Sequence, residues 1–238
     1  MTILTTTYNC ENYIERCLYS LMSQRFKDFK CYITDDLSTD GTVNKVKEII
    51  KDDKRFILIE NHIKLYQPGN YDQIIRWRNL DGDEVCVEVD GDDWLPNPNV
   101  LSVIKDTYED SKVWMTSGSF KYQDGRKGFN RPITSLDNIR KSNFTLSHLR
   151  TWKSWLWKKI DEKDLKDSEG NYWSVAGDLA FMWPMIEMSG LEHFKFIDDI
   201  LYVYNEANPI NDHKVDFQKV RNTHSYISNK TPYKRIDK

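Results

Sequence analysis

Val85-Cys86-Val87-Glu88-Val89-Asp90-Gly91-Asp92-Asp93-Trp94-Leu95 is an apolar strand that runs into a burst of carboxylates at an Asp-Gly turn. Three acidic side chains fall within four positions, and charges so close repel unless water or a cation neutralises them. Mg²⁺ or Mn²⁺, held by one or two carboxylates together with a substrate diphosphate, fits that composition. The same residues suit a solvated turn in which Asp92 or Asp93 caps the next helix. This segment alone leaves both readings open.

Working outward, residues 1–118 alternate short apolar runs with helical stretches, the pattern of βαβ units and a mostly parallel, Rossmann-like α/β sheet flanked by helices. Strands are expected at 2–7, 30–35, 55–60, 84–89 and 113–118. Helices are expected at 11–25, where Tyr13, Ile14, Cys17, Leu18, Leu21 and Met22 keep a 3.6-residue spacing, and at 42–51, 70–78 and 97–109. Ligands of open parallel sheets sit beyond the carboxyl ends of the strands. Three polar clusters follow strands here: Thr6-Thr7-Tyr8-Asn9, Asp35-Asp36-Leu37-Ser38-Thr39-Asp40-Gly41, and Asp90-Gly91-Asp92-Asp93. Their expected convergence favours a site over three unrelated turns.

Residues 119–145 lose this pattern, and a polar stretch of that length is usually functional or mobile. Residues 146–160 return to helical spacing through Leu146, Leu149, Trp152, Trp155, Leu156 and Ile160. A further helix is expected from Gly177-Asp178 to Gly190, then strands at Lys195–Ile197 and Ile200–Tyr204, then a polar tail from about 214.

The 238 residues suffice for a sizeable core, and 34 basic against 37 acidic residues exert no global pull toward nucleic acid or anionic membrane. No apolar run reaches the roughly 18 residues of a membrane span, and Met1 leads straight into a strand, so a soluble, cytosolic protein without a membrane span is expected. Cys10, Cys17, Cys31 and Cys86 have no C-x-x-C spacing and read as reduced packing residues. Eight Trp and thirteen Tyr suit either sugar and base stacking or an aromatic core, and the core is the better reading for most of them.

With these motifs in place, the chain resembles the family-2 glycosyltransferases of the GT-A fold. Ile3-Leu4-Thr5-Thr6-Thr7-Tyr8-Asn9 is similar to their opening strand and turn, and Tyr13 to Gln24 to the helix that follows. Ile33-Thr34-Asp35-Asp36-Leu37-Ser38-Thr39-Asp40-Gly41-Thr42 resembles their second-strand motif, and Val89 to Leu95 their D-x-D. The likeness is close over 2–118 and weaker to about 215. It implies a single GT-A domain over 1–238, with a nucleotide-sugar half at 1–118, an acceptor-side half at 119–215 that is helical and irregular, and a tail at 216–238.

The resemblance also implies roles. Tyr8 and Asp36, with Thr6, would receive the base by stacking and by accepting its ring N–H, while Asp35 is the less favoured of the acidic pair and turns toward the strand interior. Asp90 would face the ribose or diphosphate, and Asp92 and Asp93 would anchor Mn²⁺ or Mg²⁺. The third-strand exit departs from the family pattern; Lys64 and Asn70 there are candidates for base or phosphate contact, with a solvated loop lysine as the equal alternative. Asp178, in Val175-Ala176-Gly177-Asp178-Leu179, would be the general base that takes the acceptor's proton, or else a plain helix cap. His213 would complete the metal shell late in the domain; Lys214 pairing with the diphosphate and an exposed loop are equal readings of that stretch. His62, His148, His193 and His224 offer no comparable context.

The expected activity is therefore metal-dependent, inverting transfer of a hexose from a nucleotide sugar, foremost a UDP sugar, to a hydroxyl acceptor. A glycan, a protein hydroxyl and a hydroxymethylated DNA base all remain open as acceptor, the last because the chain also resembles small viral and bacteriophage glycosyltransferases, which would act in a host cytoplasm. The alternatives are a nucleotidyltransferase, disfavoured because the turn after the first strand lacks a Gly-rich, Lys- or Arg-bearing loop, and an inactive sugar-nucleotide-binding module.

Overall fold

The computed structural model describes residues 1–211, 214 and 216–237. Its centre is a seven-stranded sheet made of β1 (Thr2–Thr7), β2 (Lys30–Asp35), β3 (Phe56–Glu60), β4 (Val85–Glu88), β5 (Met115–Tyr122), β6 (Arg150–Lys153) and β7 (Phe194–Tyr204), in the order β3-β2-β1-β4-β6-β5-β7. Four of the six pairings are parallel, and β6 runs antiparallel to both of its neighbours.

Strand side chains alternate between the two faces, so adjacent residues feed different cores. Ile3, Ile33 and Val87 pack with α1 (Ile14–Met22), α2 (Thr42–Ile50) and α4 (Val100–Thr107). Leu4, Tyr32 and Cys86 pack on the other face with α3 (Tyr66–Asp72), α5 (Ser154–Lys158) and α6 (Gly177–Ser189). The second face holds most of the tryptophans; Trp152, Trp157 and Phe181 crowd around Tyr71 with centroids 5.9–6.1 Å from its ring. The aromatic-core reading holds there, and Trp77 is the large exception, exposed on a π-helical turn (Gln73–Trp77) that continues α3. All four cysteines are free and buried.

Two expectations are corrected. Residues 146–160 are not one helix: 150–153 form β6, and only 154–158 are helical. Trp152 sits opposite both Cys86 and Met115, filling the gap between β4 and β5. Closing two strand edges at once outweighs the local helical spacing. The late strands 195–197 and 200–204 are one strand, β7, whose ladder with β5 shifts register between Gly118 and Phe120. β5 itself runs on to Tyr122, into the stretch expected to be irregular, and buried Asn130 pins the following loop by donating to Gly118 O at 2.7 Å and His148 O at 3.0 Å.

α6 is apolar all round, the signature of a helix buried on every side. Twelve of its thirteen residues are buried, and Asp178 is the exception. The tail forms α7 (Phe217–Ser228) and then crosses the end of α6, where Ile236 N–H donates to Met188 O. No helix among the described residues is long and apolar enough to cross a membrane.

Candidate active site

The three polar turns do converge at the carboxyl ends of β1, β2 and β4. Gly91 N–H donates to Thr6 O, and Thr6 Oγ1 donates to Asp90 Oδ1 at 3.3 Å, which fixes the acidic turn against the β1 exit. Tyr8 projects beyond β1 with its ring nearly half exposed at 44%. Lys64 Nζ lies 3.0 Å from the ring centroid and donates to Asp36 O at 2.8 Å. Lys64 is therefore not a free loop lysine. Burial lowers its pKa, against the raising effect of Asp36.

Asp35 and Asp36 divide in function. Asp35 is buried and its carboxylate accepts from Ser38 N, Ser38 Oγ and Thr7 Oγ1 at 2.5–3.0 Å, so it builds the β2 turn from the interior side. Asp36 accepts the backbone N–H groups of Leu65 and Tyr66 at 2.8 and 2.9 Å and Asn61 Nδ2 at 2.9 Å. It thereby ties the start of α3 to the β2 exit. Asn70 lies beneath this loop, buried, accepting from Asn61 and Gln73.

At the end of β4, Asp92 is half-buried and accepts from Asn208 Nδ2 at 2.7 Å. Asp93 is buried and turned inward, where Oδ1 accepts Asn205 N–H at 2.6 Å. Burial first and the charge of Asp92 second push Asp90 up to about 6. Burial also raises Asp92. For Asp93 burial comes first, followed by Asp92 and Asp90, and the carboxyl stands well above its ordinary range. Residues 90–93 include no basic side chain, and their donors are hard carboxylate oxygens of the kind Mg²⁺ and Mn²⁺ take. A divalent cation thus fits Asp90 and Asp92. His213 lies outside the described residues; neighbouring Lys214 donates to the backbone oxygens of Glu206 and Asn208.

Residues outside the motifs of the sequence reading complete the floor. Glu88 is fully buried, and burial pushes it up to about 8 against the opposing charge of Arg150. Arg150 Nη2 donates to Glu88 Oε1 at 2.5 Å, and Nη1 to Asp178 Oδ2 at 2.7 Å. Gln67 Nε2 donates to Glu88 Oε1 at 2.9 Å and lies 3.5 Å from Asp90 Oδ1. His148, set aside on the sequence, is part of the site: its Nε2 stands 3.9 Å from Asp90 Oδ2, and its ring stacks on Tyr202. Burial and the Arg150 charge hold it well below its usual range, so the ring is neutral. Glu88, Asp90 and His148 offer ligand atoms within 4.8 Å of one another, and Arg150 is ion-paired with Glu88. One sequence signal pointed here: Glu88 is a carboxylate inside the apolar run Val85–Val89, and a buried charge requires a partner. Nothing local marked that partner, 62 residues away.

The profile of Glycosyl transferase family 2 matches residues 2–171. Chondroitin synthase of Escherichia coli is 24% identical over 228 residues, 92% of this chain and 31% of the relative. Glycosyltransferase GlyA of Streptococcus pneumoniae is 29% identical over 109 residues, 46% of this chain and 15% of its own length. The chain thus spans less than a third of either. Among solved structures, S. aureus TarS 1–349 in complex with UDP-GlcNAc superposes with a TM-score of 0.70 at 19% identity, covering 95% of this chain and 65% of that one. A mannosyltransferase from Pyrobaculum calidifontis in complex with GDP-Man and Mn²⁺ gives 0.67 at 18% identity, covering 98% and 65%. These likenesses establish the shared GT-A fold. With more than two thirds of its length matched by the profile, the chain belongs to glycosyl transferase family 2.

Proposed function

We propose that the chain transfers a hexose from a nucleoside-diphosphate sugar to a hydroxyl acceptor with inversion at the sugar carbon. The observation that carries this reading is the linkage of Asp178, the one accessible residue of α6, to the acidic turn through Arg150 and Glu88. On this reading one carboxylate serves the acceptor and another pair serves the donor.

On the donor side, Tyr8 provides a stacking face for the base, with Asp36 and Lys64 as polar partners and Thr6 at the back. Asp90 faces the ribose and diphosphate. Asp92, the accessible carboxylate of the turn, would hold Mn²⁺ or Mg²⁺ together with Asp90, while Asp93 buttresses the turn from inside. A bound divalent cation there supplies positive charge to the departing diphosphate. Asp178 accepts the proton of the attacking hydroxyl as its oxygen bonds to the sugar carbon from the side opposite the diphosphate. Asn70 supports this floor from beneath, and His213 is the candidate third ligand.

UDP sugars are the favoured donors because TarS, the neighbour with the higher TM-score of the two described, is solved with UDP-GlcNAc. The likeness to a chondroitin synthase favours a glycan acceptor over a protein hydroxyl or a hydroxymethylated DNA base. The test incubates the protein with UDP-GlcNAc, UDP-glucose or GDP-mannose, with Mn²⁺, Mg²⁺ or EDTA, and follows nucleoside-diphosphate release with each acceptor class. Release that depends on the metal and accelerates with an acceptor is expected. Binding without release under every condition would sink the transferase reading in favour of a binding module.

A further inference from the structure

Arg150 stands on β6, the strand inserted between β4 and β5, with Thr151 opposite Val87 on one side and Arg150 opposite Ser117 on the other. The strand is therefore held from both sides, and the Arg150 side chain is 2% exposed. The guanidinium forks, one terminal nitrogen on Glu88 at 2.5 Å and the other on Asp178 at 2.7 Å. Phe181, one turn further along α6, packs against it at 5.7 Å.

The two ends of the fork differ. Glu88 is fully buried and belongs to the sheet, so it is a fixed anchor. Asp178 lies in the first turn of α6, and among the described residues its carboxylate's one other hydrogen bond is from the adjacent Leu179 N–H to Oδ1 at 3.0 Å. That contact leaves the side-chain torsions free to swing the carboxylate into solvent.

We propose that Arg150 is the positioning residue of the transfer reaction, holding the Asp178 carboxylate at the acceptor side of the crevice by spanning from Glu88. This rests on the reading of Asp178 as the base. With Oδ2 held by the guanidinium, Oδ1 keeps one lone pair beyond its bond to Leu179 and is the oxygen that receives the acceptor's proton. Gln67 bonds the same Glu88 oxygen and approaches Asp90. The anchor of the base is thus shared with the donor turn, which sets the spacing between proton acceptor and leaving group. A planar two-way fork is something arginine provides and lysine does not.

The experiment compares wild type with Arg150→Lys, Glu88→Gln and Asp178→Asn, measuring kcat, donor KM, calorimetric Kd for the nucleoside diphosphate, and melting temperature. Arg150→Lys and Glu88→Gln are expected to lower kcat about 100-fold, the cost of a base displaced by about 1 Å, with Kd for the diphosphate unchanged. Arg150→Ala is expected to regain part of its rate with added guanidinium, which a merely structural defect would not do. Wild-type kcat in Arg150→Lys overturns the proposal, as does a fall in diphosphate affinity equal to the fall in rate. If Arg150→Lys does not fold, Glu88→Gln, which keeps the shape but removes the charge that anchors the guanidinium, decides on the same criteria. An active wild type with a fully active Asp178→Asn would refute the base and this proposal together, whereas a wild type with no turnover would refute the transferase reading itself.

Discussion

The ammonium of Lys64 rests 3.0 Å above the centre of the Tyr8 ring while donating to Asp36 O at 2.8 Å. Three separate loops are joined by that contact: the β1 exit, the β2 turn and the segment before α3. It pre-forms the shelf on which a base would lie, so little ordering remains for the ligand to impose.

Tyr8→Ala is accordingly expected to weaken nucleoside-diphosphate binding by about 5- to 160-fold, the worth of one base–aromatic stack of about 1–3 kcal/mol. Tyr8→Phe keeps the ring and should bind close to wild type. Calorimetric titration checks both; an Ala variant with wild-type affinity would remove Tyr8 from the base site.

The acidic turn predicts a coupling of pH and metal. A carboxyl whose pKa is raised by folding stabilises the fold below its unfolded value and withdraws that stability as pH climbs through its folded value. Asp90 moves from 3.8 to about 6 and Glu88 from 4.5 to about 8. Without divalent cation, the melting temperature should fall between about pH 4 and pH 8, Asp90 alone accounting for on the order of 3 kcal/mol. Mn²⁺ should recover more stability at pH 8 than at pH 5. A Mn²⁺-induced shift independent of pH would contradict the assignment of the cation to this turn.

Asp92→Asn removes a repelling charge at a half-buried position and keeps an acceptor for Asn208. Its melting temperature in EDTA should equal or exceed that of wild type, while turnover is lost. Asp93→Ala should instead cost about 1–3 kcal/mol, because the buried N–H of Asn205 loses its acceptor. Thermal denaturation separates the two, and a large loss of stability in Asp92→Asn would recast that residue as structural.

Gly91 lies where the acidic turn meets β1. A methyl group there would come within 2.6 Å of Thr7 Cγ2 and 2.9 Å of the backbone oxygen of Thr6, which has little room to move. Gly91→Ala should cost about 1–3 kcal/mol in chemical denaturation and lower donor affinity with it.

Burial raises all four thiols, Cys31 to about 12. None should react with a disulfide reagent at pH 8 in the native protein, and all four should react in denaturant. Reaction of a single thiol in native buffer would show local opening at that cysteine.

Much of this architecture was legible locally. β1 and β2 were placed to the residue, and the helices of the first half to within a few residues at their ends, because alternation in strands and 3.6-residue spacing in helices are local properties. The convergence of the Thr6, Asp36 and Asp90 turns followed from parallel strand order. The spacing of 146–160 misled because Leu149, Trp152 and Leu156 face buried surfaces in either conformation. What decided for strand was the open edges of β4 and β5, supplied by distant segments.

The sequence by itself determined the class of fold, the three polar turns at the strand ends and Asp178 as the acidic residue opening a late helix, since each is written in contiguous residues. Only the tertiary structure decided how these carboxylates are used. Asp93 turns inward toward Asn205, Asp36 accepts two backbone N–H groups of the loop before α3, and Asp178 is held by an arginine that also holds a glutamate 62 positions earlier. The physical reason is that a buried carboxylate takes its role from whichever donor or cation folding brings within hydrogen-bond reach, and those partners lie on other strands and loops.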